Sequence, residues 1–182
     1  VKYRERHGFN HNRLVQLAHP EGRTLGHEAL YRWVLDKPQM SVSPVPDIIS
    51  DYEKAKTDPL GALIDNPSLP WEALPTEALN DPKVWEALTL TMPLTALMRN
   101  LGRLSNLRLL KPLSLMERDI TNRLSDAGDV RHAKLHPFNV LVAQKTYSQG
   151  RGFRGSNTWP VNQNVVAALE AAYYHAFDNV TP

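Results

Sequence analysis

The chain has 182 residues, no cysteine, 14 prolines, 42% hydrophobic residues and a formal net charge of +2, enough material for one ordinary globular domain without covalent staples. The missing cysteines exclude a disulfide framework, a thiolate nucleophile and any thiolate-bound metal, while permitting a cytosolic location. The charge-free stretch 87–98 falls far short of the ~18 apolar residues of a spanning helix, so no membrane partner is expected, and a start at Val1 without a signal-peptide pattern reads as a piece of a longer protein.

Apolar residues recur at helical spacing and no alternating strand pattern competes, so the expected class is all-α. A first helix, capped by Asn10 or Asn12, places Leu14, Leu17 and Ala18 on one face as far as His19 and Pro20. A second carries Leu25, Ala29, Leu30, Trp33 and Val34. The Pro- and Ser-rich stretch 38–46 is a connector, since proline lacks an N–H and fixes φ. Ile48, Ile49, Tyr52, Leu60, Leu63 and Ile64 suggest one or two further helices. Asp81 and Pro82 then open another as N-cap and first helical residue, with Val84, Trp85 and Leu88 on its inner face.

The clearest helix follows. Pro93 lies in its first turn, and Leu94, Leu97, Met98 and Leu101 form an i, i+3, i+4, i+7 stripe. Gly102 is placed to end it in the left-handed conformation. At 100° per residue Arg99 and Arg103 fall opposite the stripe, so both guanidinium groups should point away from the core. After a connector at Lys111 and Pro112, a helix runs through Leu115, Ile120 and Leu124 to a stop at 126–129. His136 and Pro137 start a helix apolar nearly all round (Phe138, Val140, Leu141, Val142), which should be buried between neighbours. The last runs from about Asn162 with Val165, Leu169, Ala172, Tyr173 and Ala176 on one face. Short helices that cannot each bury a face alone suggest stacked helical hairpins of the HEAT kind.

The small net charge conceals a segregation. Summed in blocks, residues 1–46 carry +3, 47–92 carry −6, 93–155 carry +7 and 156–182 carry −2, with no carboxylate from Val130 to Leu169. Basic blocks of this kind are the footprint of a polyanion-binding surface. In the loop 150–155, glycines would let backbone N–H groups approach an anion, Arg151 and Arg154 can fork onto phosphates, and Phe153 offers a stacking face for an unpaired base. No nucleophile with a base, paired carboxylates or helical H-E-x-x-H pattern is present, so no catalytic residue and no metal ligand is assigned. The rival reading is a helical-repeat protein-binding scaffold with no RNA role, whose acidic block 47–92 would engage a partner.

Three segments, 2–19 (KYRERHGFNHNRLVQLAH), 92–102 (MPLTALMRNLG) and 136–141 (HPFNVL) continuing through 147–155, resemble successive signatures of the TROVE domain of Ro autoantigens and their bacterial orthologues. The resemblance is weakest over 38–80. It implies a ring-shaped superhelix of HEAT-like repeats closed by a von Willebrand factor A domain, monomeric and cytoplasmic. Its basic outer surface would bind small noncoding Y RNAs, and its central hole would take single-stranded 3′ ends of misfolded RNAs in RNA quality control. A ribonuclease bridged by Y RNA is a further implied partner. Residues 1–182 would be the C-terminal portion of the TROVE domain. No cofactor is then expected in this chain, a divalent cation belonging to the absent A domain. The resemblance assigns Y RNA contacts to Lys2, Arg6 and His19, with His11 and Arg13 nearby. Phe9 stands where the family has Trp, and Asn12 and Arg13 depart from the Lys and Asp of the vertebrate pattern. Arg99, Arg103, Arg151, Phe153 and Arg154 are added from helix face and charge alone. Arg99 and Asn100 have an alternative role, tying one repeat to the next through hydrogen bonds to helix ends.

Overall fold

The computed structural model describes residues 10–38, 45–152 and 156–180. It is all-helical and divides into two compact units, Val1–Ala78 and Leu79–Pro182. Among the described residues no helix is long and apolar enough to cross a membrane.

The first unit holds α1 (His11–Ala18), α2 (Leu25–Val34), α3 (Asp47–Ala55) and α4 (Pro59–Asp65), followed by a 3-10 turn, Trp71–Ala73. The Asn10 carboxamide accepts from Arg13 N to start α1, Thr24 accepts from His27 N to start α2, and Asp58 caps α4 ahead of a proline at its first position. The Asn12 carboxamide donates to Val34 O at 3.0 Å, tying α1 to α2. Trp33 Nε1 donates to Glu53 at 2.8 Å and its ring meets Tyr52 edge-on, tying α2 to α3. The apolar face expected on α1 is not covered within this unit: Leu14 and Leu17 are 57% and 68% exposed.

The second unit holds α5 (Pro82–Thr91), α6 (Leu94–Asn106), α7 (Leu115–Ser125), α8 (Ala127–His132), α9 (Pro137–Ser148) and α10 (Gln163–His175), closed by a 3-10 turn, Ala176–Asn179. Its core gathers Trp85, Leu97, Leu101, Leu104, Ile120, Leu124, Val140 and Leu169, all essentially inaccessible. Helix α10 packs most extensively, against α9 and α7. The small side chains of Ala168 and Ala172 on its buried face, continued by Ala176 in the closing turn, allow that close approach.

Three expectations change here. Helix α6 does not end at Gly102 but runs to Asn106. A Cβ at Gly102 would come within 2.7 Å of the Trp159 ring, so the glycine serves close packing and not termination. The stop at 126–129 is a helix-to-helix corner: Asp126 ends α7, and its carboxylate accepts from Asp129 N as the N-cap of α8. Helix α9 starts as expected at His136 and Pro137 but is not buried all round, because Phe138 and Val142 are 64% and 41% exposed. Neighbours cover only the face of Val140 and Tyr147, leaving the other side open.

Candidate functional site

The open side of α9 faces α6 across a groove of about 790 Å3 in the second unit. Arg99, Arg103 and Asn106 of α6 line one side, and Phe138 and Asn139 of α9 the other. Trp159 lies between the two helices, and among the described residues that line the groove there is no carboxylate.

Local chemistry explains how Trp159 reaches that place. Gly150 follows α9 with φ +64, a conformation open to glycine, and its carbonyl accepts from Trp159 N at 2.9 Å. An antiparallel bridge pairs Arg151 with Thr158, and Gly152 N donates to Asn157 O at 3.0 Å. These pairings set 150–152 alongside 157–159 and so deliver the indole. There it stacks on Tyr147 at 6.3 Å between centroids, donates from Nε1 to Tyr147 O at 3.0 Å, and lies flush on Gly102. Behind it, the Tyr147 hydroxyl shares a 2.7 Å hydrogen bond with Ser105 and accepts from Asn162 N.

The arginines of α6 separate into two roles. Arg99 is exposed and makes no hydrogen bond or ion pair among the described residues. Arg103 does not point freely away from the core: it is half-buried, its guanidinium lies 5.7 Å from the centroid of the Trp85 ring, and it donates to Asn80 Oδ1 at 3.3 Å. The aromatic quadrupole attracts the cation and fixes its position. The helix-tying role considered for Arg99 and Asn100 belongs instead to Arg123, which donates to Thr89 O at 2.6 Å and Met92 O at 2.7 Å where α5 ends. Asn100 bonds only back to Ala96 O of its own helix.

His11, Arg13 and His19 belong to the first unit, His11 and His19 at the two ends of α1, about 12 Å apart along its axis at 1.5 Å per residue. His19 adopts φ 42, and its backbone N–H closes α1 onto Val15 O. Arg151 is exposed where it pairs with Thr158. The N–H groups of Gly150 and Gly152 are already donated to Tyr147 O and Asn157 O, so they do not form the anion-facing surface expected of 150–155. Lys2, Arg6, Phe153 and Arg154 lie outside the described residues. Sequence reasoning missed Phe138 and Trp159 as groove residues. The only advance signal for Trp159 was a large aromatic beside Gly- and Asn-rich turns, and for Phe138 the apolar excess of α9 beyond one buried face. No group of three or more His, Cys, Asp or Glu side chains that could hold a metal occurs among the described residues.

Residues 64–149 match the TROVE domain. Over its whole length the chain is 32% identical to RNA-binding protein RO60 of Caenorhabditis elegans, covering 36% of that protein. It is 35% identical to RNA-binding protein RO60 of Deinococcus radiodurans, covering 35%. The crystal structure of the Deinococcus radiodurans RO (RSR) protein superposes on the whole chain with a TM-score of 0.85 at 33% identity, the match covering 38% of that structure. The chain thus spans about a third of the length of these relatives. The chain carries a TROVE-domain match through its middle, over residues 64–149, and is similar over its whole length to Ro proteins.

Proposed function

We propose that the chain is an RNA-binding part of a Ro-type ribonucleoprotein, engaging small noncoding RNAs of the Y RNA class and the single-stranded ends of misfolded RNAs, with no catalytic step of its own. In this reading it forms the C-terminal portion of a TROVE domain within a ring of HEAT-like repeats, and a ribonuclease joins through the bound RNA. The observation that carries it is end-to-end similarity to proteins named RNA-binding, coinciding with a basic block at 93–155 that leaves a carboxylate-free groove beside Arg99 and Arg103. Phosphates supply the affinity, and fold shape or strandedness supplies selectivity.

Each neutralised phosphate releases condensed counterions, so log K should fall linearly with log salt at about −0.7 to −0.9 per contact. The test is titration of a structured small RNA into the protein at several salt concentrations. A slope of several units is expected, and binding indifferent to salt would overturn the reading. With the contacts that the resemblance implies for Lys2 and Arg6, Lys2→Ala and Arg6→Ala should each flatten the slope by roughly one unit. Capture of a basic protein partner with no RNA affinity would instead favour the scaffold, with the acidic block 47–92 as its contact surface.

A further inference from the structure

We infer that the groove between α6 and α9 holds an unpaired nucleotide of an RNA strand, its base stacked on Phe138 and its phosphate on Arg99. This rests on the RNA-binding reading and assigns it a specific subsite. Scattered exposed apolar side chains are normal, so the exposure of Phe138 means nothing alone. Its surroundings give it meaning. Arg99 is an exposed guanidinium with no protein partner among the described residues, on the wall facing Phe138. The side-chain amides of Asn106, Asn139 and Asn157 border the same space, and among the described residues none of the three is hydrogen-bonded to protein.

A carboxamide both donates and accepts, as base edges do. An aromatic ring stacks on any base, and a free guanidinium forks onto phosphate. The groove's roughly 790 Å3 lies within the ~300–1,000 Å3 typical of small-ligand sites, room for a nucleotide and not for a duplex. An acidic peptide would use Arg99 equally well. Its backbone could pair with the amides too, but its acidic side chains offer no flat face to stack on the exposed Phe138 ring, which favours the nucleotide.

The subsite is preorganised. Trp159 is fixed by its bond to Tyr147 O and by contact with Gly102, and Arg103 is held by Trp85 and Asn80. Occupation therefore requires ordering only Phe138, Arg99 and the amides.

The test uses the protein with fluorescein-labelled short single-stranded oligoadenylate and a labelled structured small RNA, read by anisotropy. Phe138→Ala should weaken the single strand by about 5- to 150-fold, the range for losing one base stack. Phe138→Trp should retain binding, and Arg99→Ala should flatten the salt slope for the single strand by about one unit. Affinity for the structured RNA should fall less than affinity for the single strand, since only the latter must stack an unpaired base on the ring. A single strand indifferent to Phe138→Ala, or equal weakening of both RNAs, overturns the subsite. So does displacement of the oligonucleotide by an acidic peptide at equal concentration. Salt-dependent binding of structured RNA without any single-strand binding removes the subsite but leaves the RNA-binding reading standing. Binding of neither removes both.

Discussion

Gly102 and Arg123 carry much of the geometry of the second unit through single atoms. The Trp159 ring occupies the space a Cβ at Gly102 would need, at 2.7–2.8 Å, and cannot easily retreat because Tyr147 holds it by stacking and a hydrogen bond. Gly102→Ala gains up to ~1 kcal/mol of helix propensity. Overpacking costs ~1–3 kcal/mol and endangers the indole bond as well, so the substitution should lower the denaturation midpoint. An unchanged or raised midpoint would mean the ring shifts freely. Arg123 gives both Nη atoms to carbonyls that the end of α5 leaves without helical partners. Arg123→Ala should cost about 2–3 kcal/mol, from two hydrogen bonds to a charged group and partly buried orphan acceptors. Arg123→Lys, lacking the fork, should recover only part of that in a urea melt. Neither role was visible in the sequence. Gly102 stands at the end of an apolar stripe and resembles a terminator, and nothing local marks Arg123 apart from the other arginines.

At the scale of the helices, starts were legible and faces less so. Asp81 caps as expected, Asn10 is the cap of the two offered for α1, and His136 and Asn162 cap where helix starts were expected, since a cap depends on residues two or three positions away. The ends of α6 and the exposure of α9 depend on Trp159 and on which neighbours arrive, which no local pattern encodes. Asn162 does more than cap. Its carboxamide oxygen accepts from Asn164 N, while Nδ2 donates to Leu110 O at 3.1 Å and to buried Glu117 at 3.4 Å; Asn164 donates to the same carboxylate at 2.7 Å. This polar cluster joins α7, α10 and the segment after α6. Asn162→Asp keeps the cap acceptor, removes the donor and places a second carboxylate beside Glu117. It should therefore destabilise at least as much as Asn162→Ala, by about 2–4 kcal/mol in chemical denaturation. A near-neutral Asp variant would show that only the cap matters. In the first unit, the Lys56 ammonium lowers the Glu53 carboxyl below its ordinary 4.5; partial burial opposes this, and the Trp33 indole N–H reinforces it. A carboxyl depressed on folding stabilises above its unfolded value and loses that contribution as pH falls through the folded value. The stability gap between the protein and Glu53→Gln, about 0.2–1 kcal/mol for so exposed a pair, should hold from neutral pH to about 4.5 and close below it. A gap that persists in stronger acid would assign the effect to packing.

Across the whole molecule, apolar burial and charge are unevenly shared. Among the described residues, the largest fully buried side chains, Trp85 through Leu169, all lie in the second unit. The first unit buries mainly alanines with Ile49, Leu63, Leu69 and Leu74, and α1 buries nothing. It also contains most of the acidic block, where only a few exposed ion pairs, Lys54 with Asp65 and Lys56 with Glu53, offset the repulsion. Fully burying one large aliphatic side chain contributes about 1.5–3 kcal/mol, so the second unit holds most of the favourable term while both units lose conformational entropy in proportion to length. Opening free energies should differ accordingly. Hydrogen exchange read by mass spectrometry should show α1 to α4 exchanging first, and α6, α9 and α10 protected to the limit set by global unfolding. Limited proteolysis should cut within the first unit and leave a helical fragment from about Leu79 onward with Trp159 still in its packed environment. Equal protection of α1 and α10 would mean that the first unit draws stability from contacts beyond its own sparse core.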